Sequence, residues 1–324
     1  AMALMQAVVP TPQPKDYDAA LIKAQDALLA RGVTAIADMG TTIEAWQAYR
    51  RAGDRGALRI RIMGYARGMD QATLIAGPGP TPWLYDDRLR LGGVKLMVDG
   101  ALGSRGAWLK APYADAPTET GLPMLTSVQL RNQMSRAAMD GFQIAVHAIG
   151  DKANADVLDA IDELSETYKG ERRWRIEHAQ IVDPADLPRF ALHGTIASIQ
   201  PQLATSDWAM ATARLGPDRL GGEPADPFIG LKSALSRIDA KGEPAGGWLP
   251  QQRVTIAEAL RAYTWGAAYA AFAEQRFGNL APGQRADFLI VDKDIELASP
   301  ADLPATQVLE VWIGGQRVTT KDAN

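Results

Sequence analysis

A rhythm constrains this chain more than any other feature. Short apolar runs alternate with stretches of helical spacing through the first two hundred residues. The runs lie at 33–37 (VTAIA), 58–66, 91–99 (LGGVKLMVD), 142–148 (FQIAVHA), 174–178 (WRIEH) and 195–200 (TIASIQ). Between them, 16–31 places Leu21, Ala24, Leu28 and Leu29 on one helical face, and 43–52, 127–140, 151–168 and 184–192 read as helices. Runs that are apolar throughout suit strands buried on both faces. Strand and helix in alternation predict an α/β fold with a parallel sheet under helical cover. In such sheets the ligand edge lies at the strand C-termini, so those residues are the ones to inspect.

After residue 201 the rhythm breaks. Residues 214–230 and 240–250 are rich in Gly and Pro and read as loops, and 255–273 reads as one apolar helix. The segments 286–292 and 307–313, with a Gly314-Gly315 turn before 316–318, predict antiparallel β structure. No apolar run approaches the roughly 18 residues of a membrane span, so no membrane partner is expected. The net charge is −4 and no basic block is present, so nucleic acid is not expected either. Residues 1–10 are apolar but lack a charged leader, and the expected compartment is the cytoplasm. Cysteine is absent, which excludes disulfides and a thiol nucleophile. With three histidines in the chain, a transition-metal site must draw on His147, His178, His193 and oxygen ligands.

Three polar residues interrupt or end apolar strands: Lys95 in VKLMV, His147 in IAVHAIG and His178 in WRIEHAQ. A lysine buried in a strand loses hydration unless it is paired or modified, and carbamylation by CO2 would make it an anionic, metal-bridging ligand. His147 and His178 are one βα unit apart, so both side chains are expected at one rim, on adjacent strands. Taken singly, a strand-end histidine or strand lysine is more often structural; three on successive strands favour a metal site. His193, before Gly194 at a helix end, suits the helix dipole and reads as structural. Asp38, Asp99, Asp151 and Glu177 lie near strand ends, and alternation should turn Glu177 away from His178. The Gly-rich loop 99–117 follows the lysine strand, and its Arg105, Trp108 and Tyr113 are candidate substrate contacts. Its glycine spacing matches neither a P-loop nor a dinucleotide fingerprint. Trp83, Trp108 and Trp208 on loops hint at an apolar substrate moiety.

VKLMVDGALGSRGAWLKAPYAD, FQIAVHAIGDKAN, WRIEHAQIV and GNLAPGQRADFLIVDKD together resemble the amidohydrolase superfamily. The similarity is to amidohydrolase family 3, the YtcJ-like group that includes N-substituted formamide deformylases. It implies a (β/α)8 TIM-barrel-like metal-dependent hydrolase fold, incomplete here with about six βα units, plus a C-terminal β segment of a composite sandwich. The implied division is an arm at 1–15, the partial barrel at 16–273 and the sandwich segment at 274–324. The resemblance implies hydrolysis of an amide or related C–N bond of a small molecule by a metal-activated hydroxide. It implies one or two divalent ions, zinc by preference, held by carbamylated Lys95 with His147 and His178, and it admits a homo-oligomer. The family's His-x-His pair has no counterpart, since no H-x-H occurs in the chain. The strand-8 aspartate is also missing, because RLGPDRL runs almost directly into EPADPFIGL near Leu220–Glu223. Activity is therefore expected to be impaired, and the alternative is a non-catalytic scaffold derived from the same fold.

Overall fold

A computed structural model describes residues 10–201, 208–216, 226–239 and 241–318. Residues 1–9 of the expected arm at 1–15, the side chain of Trp208 and the junction at Leu220–Glu223 lie outside this description. Six strands, β1 (Ala35–Thr41), β2 (Arg61–Arg67), β3 (Leu89–Met97), β4 (Gln143–Ala148), β5 (Arg175–His178) and β6 (Ile196–Ser198), pair in sequence order, every pair parallel. They form a curled half-barrel. β1 and β6 are its edges, with no further strand paired to them among the described residues.

Helix α1 (Pro14–Leu29) precedes β1, and α2 (Ile43–Asp54), α3 (Gly68–Ala76), α4 (Ser127–Met139), α5 (Asp151–Ser165) and the short α6 (Leu187–Leu192) lie between successive strands. Their ends follow capping chemistry. Pro14 starts α1 behind a Gln13–Asp16 capping box, and Thr126 with Gln129 caps α4 the same way. Alternate strand residues divide the sheet into two faces. Ile62, Ala66, Val94, Leu96, Ile144, Val146 and Ile176 pack with Trp46, Leu130, Met134, Val157 and Leu158 of the helices. Met63, Tyr65 and Ala145 occupy the inner face with Ala268, Ala271 and Phe277.

Three helices were not expected from the sequence. α3 begins directly at the end of β2, and α7 (Trp208–Leu215) and α8 (Pro227–Ser236) fall around segments rich in Gly and Pro. Asp226 explains α8: its carboxylate accepts from Phe228 N (2.9 Å) and Ile229 N (3.3 Å), and Pro227 begins the helix. The single helix expected over 255–273 is broken instead. α9 (Ile256–Arg261) and α10 (Ala267–Ala270) flank a π-helical turn at Ala262–Gly266.

The tail forms a three-stranded antiparallel sheet, β7 (Phe288–Val291), β8 (Val308–Ile313) and β9 (Gln316–Arg317). A buried ion pair ties it to the barrel. Arg61, 2 % exposed, bonds both oxygens of Asp287 at 2.6 and 2.8 Å and donates to the carbonyls of Asp86 and Asp87. Gly32 permits the close approach of the two parts, since a Cβ there would lie 2.4 Å from Leu289 Cδ1, and its φ of +73° suits glycine. Replacing Arg61 by Leu strands the Asp287 carboxylate in a site 7 % exposed. Chemical denaturation of Arg61→Leu should show a loss of about 3–5 kcal/mol; a loss below about 1 kcal/mol would mean the pair does not hold the tail.

Candidate metal centre and its rim

The C-terminal ends of β3, β4 and β5 bring together the residues that the sequence singles out. Register pairs Lys95 with Ala145, Met97 with His147, and Ala148 with His178. Val94 and Leu96 face the helices, so Lys95 faces inward; Val146 and Ala148 do the same for His147. His178 departs from alternation. Its backbone is left-handed (φ +75°), as is that of Ala179 (φ +42°), and the chain turns out of the strand at that point. Its ring therefore meets that of His147, with centroids 4.7 Å apart and planes at 73°. Glu177 also faces inward: it takes a two-pronged ion pair from Arg175 (2.7 and 3.2 Å), and its charge acts on Lys95. The expected separation of Glu177 from His178 thus does not hold in simple form, because strand alternation stops at His178.

Burial dominates the electrostatics. It pushes the Lys95 ammonium down to about 8, opposed by Glu177 and reinforced by Arg175. It pushes the His147 imidazole down to about 4, helped by the charges of His178 and Lys95. Both groups are thus inclined toward their neutral, electron-donating forms. His147 is 9 % exposed, and its Nε2 is buried without a hydrogen-bond partner, 3.5 Å from Asp99 Oδ1. An orphaned ring nitrogen beside a second imidazole and a weakly basic amine fits a divalent metal. Among the described residues, however, no three or more His, Asp or Glu side chains gather closely enough to hold one. Lys95, His147 and His178 stand together at one rim.

The inner face beneath this rim is polar and paired. Arg175 Nη2 donates to Ser198 Oγ (3.0 Å) and its Nη1 lies 3.4 Å from Tyr65 Oη. Tyr65 donates to Gln143 Oε1 (2.6 Å), and Gln143 Nε2 donates to the carbonyls of Arg173 and Ala270.

Asp99, named in the sequence as one carboxylate among several, proves to be the fastener of the rim. It is fully buried and accepts from Trp108 N (2.9 Å), Ile149 N (3.0 Å) and Gly150 N (2.9 Å). Burial pushes its carboxyl up to about 6 despite those three donors. The Trp108 carbonyl in turn accepts from Lys152 N and Ala153 N at the start of α5. A Cβ at Gly150 would sit 1.9 Å from that carbonyl oxygen, so glycine is required. Asp151 Oδ1 accepts from Lys110 N (2.8 Å) and Lys152 N (3.0 Å), so it binds the loop as well as the helix.

The three candidate substrate contacts are engaged in this loop. Tyr113, 1 % exposed, donates its hydroxyl to the Ala107 carbonyl (2.8 Å). Arg105 pairs with Asp115 (2.8 Å), which Arg214 of α7 also binds. Trp108 is half-buried, with Lys152 Nζ 5.6 Å from its ring centroid. His193 lies at the end of α6 and pairs with Asp162 (2.9 Å), away from the rim groups. Asp38 accepts from Thr41 Oγ1 and Tyr49 Oη. Gln200, which the sequence did not flag, bonds His178 Nδ1 at 2.8 Å.

Known proteins resemble this chain in sequence and fold. The model of the amidohydrolase family matches residues 1–319. Protein LONG AFTER FAR-RED 3 of Arabidopsis thaliana is 33% identical, over 92% of this chain and 57% of its own length. The putative amidohydrolase YtcJ of Bacillus subtilis (strain 168) is 30% identical, over 85% of this chain and 55% of its own. The crystal structure of an uncharacterized metal-dependent hydrolase from Pyrococcus horikoshii OT3 superposes with a TM-score of 0.79 at 30% identity, covering 89% of this chain and 62% of that one. The chain thus spans little more than half the length of the relatives it matches. No helix among the described residues is long and apolar enough to cross a membrane.

Two outcomes follow from the rim. Lys95 releases its proton at about 8 when folded and at 10.5 when unfolded. Between these values the unfolded chain holds more protons, so stability rises with pH, by up to about 3 kcal/mol. Denaturation in CO2-free buffer should show this rise in the native chain and lose it in Lys95→Met; equal slopes would refute the depressed amine. Asp99→Ala strands the buried N–H groups of Ile149 and Gly150, at about 1–3 kcal/mol each, and frees the Trp108 N–H as well. Trypsin should then cut the 99–121 loop at Arg105 or Lys110 faster than in the native chain, and unchanged cleavage would rule out the fastening role.

Proposed function

The chain belongs to the amidohydrolase family, and from that premise we propose that it carries the Lys95, His147 and His178 portion of a metal-dependent hydrolase. One observation carries the reading: two imidazoles from neighbouring strand ends meet at 4.7 Å above an inward lysine, and one of their nitrogens is buried without a partner. The substrate class is a small molecule with an amide or related C–N bond. A divalent metal, zinc by preference, would supply Lewis-acid polarisation of the scissile carbonyl and acidification of water. His147 and His178 offer ring-nitrogen donors, and burial keeps the His147 imidazole inclined toward its neutral form. Lys95, held at about 8, has an amine fraction near neutral pH that can take up CO2, and as a carbamate it would present oxygen donors. Burial of these groups favours ion binding over protonation, because a metal relieves the orphaned donor that a depressed imidazole leaves. The loop fastened by Asp99 walls one side of the rim, and Trp108, its half-buried aromatic, is suited to an apolar part of the substrate. Arg105 and Tyr113 contribute through the loop's fold.

A second reading, the non-catalytic scaffold, is favoured by the incomplete ligand group among the described residues. Native mass spectrometry of the purified chain with zinc and bicarbonate separates the two. The hydrolase reading expects bound zinc and a mass gain of one CO2, the latter lost in Lys95→Ala, together with hydrolysis of some member of a formamide and amide panel. A chain that takes up neither zinc nor CO2 and hydrolyses nothing in the panel is a scaffold.

A further inference from the structure

We propose that Gln200 is a positioning residue that holds His178 as the tautomer protonated on Nδ1, leaving the Nε2 lone pair as the ring's ligating atom. The inference deepens the metal-dependent reading and rests on it for its purpose, though not for its geometry. Gln200 lies two residues beyond β6. Its amide orientation is fixed from the far side: Nε2 donates to the Ser198 carbonyl at 3.2 Å. Ser198 is itself anchored, by strand register to Glu177 and by the bond from Arg175 to its hydroxyl. With its nitrogen so committed, Gln200 turns Oε1 toward His178 Nδ1 at 2.8 Å. An amide oxygen can only accept, so the proton resides on Nδ1. The reversed amide would set its oxygen against the Ser198 carbonyl oxygen, two acceptors facing each other.

The consequence is chemical. A histidine side chain free in water favours the opposite tautomer, with its proton on Nε2, and that form would present a donor where a metal needs a lone pair. One hydrogen bond to Nδ1 fixes both the tautomer and the ring's rotation. The ring needs that restraint, because its backbone leaves β5 in a left-handed turn, where the strand no longer directs the side chain. The polar chain Glu177–Arg175–Ser198–Gln200–His178 thus runs from the inner face to the rim, each link a hydrogen bond, ion pair or strand pairing.

The test is nitrogen-15 NMR of histidine-labelled, metal-free chain under alkaline conditions at which imidazoles are neutral. His178 should show a pyrrole-type Nδ1 and a pyridine-type Nε2. Gln200→Leu should move it toward the Nε2-protonated form, and Gln200→Glu, which keeps an acceptor, should retain the native pattern. Zinc titration should find binding about 10–100-fold weaker in Gln200→Leu than in the native chain. A native spectrum with the proton on Nε2 overturns the proposal even if the variants fail to fold. So does a Leu variant with an unchanged tautomer, or with unchanged zinc affinity. A native chain that shows the Nδ1 proton but binds no zinc sinks the metal-dependent reading and leaves the tautomer assignment standing.

Discussion

The rim depends on one fully buried carboxylate. Asp99 ends the lysine strand, and its two oxygens gather main-chain N–H groups from the long loop and from the turn after β4. Removing those N–H groups from water would be costly without an acceptor, and a carboxylate can satisfy three at once. The arrangement sets Lys95 and His147 into fixed relation, because their strands exit into segments pinned to the same group. It also explains the length of the loop. A chain that must leave β3, cross the start of α5 with its Trp108 carbonyl, and return to α4 cannot be a short connector.

Beneath the rim the sheet interior carries charge where many barrels carry aliphatic layers. Arg175 and Glu177 alternate on one strand, face the same way and pair with each other. Tyr65, Gln143 and Ser198 use their remaining capacity on one another, on Arg175 and on nearby carbonyls. A buried ion pair of this kind adds little to stability by comparison with apolar packing. Its value here is directional: it fixes Ser198, Gln200 and the electrostatic surroundings of Lys95, which feels both charges. Packing against Met63, Ala145 and Phe277 closes the layer from the other end.

Much of this was legible in the sequence. Strand runs stood out because both faces are buried, and Lys95, His147 and His178 stood out against those runs for the same reason. What stayed hidden has a common cause. When a strand is buried on both sides, composition does not say which face a polar residue takes, so the Arg175–Glu177 pair could not be placed and alternation misled at His178. Helix α8 is hidden because local capping by Asp226 with Pro227 outweighs the Gly and Pro around it. Tyr113 and Arg105 look like exposed loop residues by position, but a loop of this length folds on its own side chains, and theirs were used for that purpose. Gln200 carried no signal at all: its importance lies in a partner twenty-two residues earlier.

The candidate centre sits mainly on interior strands of the sheet, with one support at its β6 edge. Lys95 lies on β3, His147 on β4 and His178 on β5, and each of these strands is paired on both flanks. Among the described residues β1 and β6 are the edges, each paired to a strand on one flank. The backbone places of the three residues are therefore set by interior pairings and by Asp99, whereas the ring of His178 also rests on Gln200, just beyond the edge strand β6. The lysine and the two imidazoles stand together at the rim, the two rings with centroids 4.7 Å apart. A chain matching little more than half of its relatives' length thus keeps the three candidate residues on strands that have neighbours on both flanks.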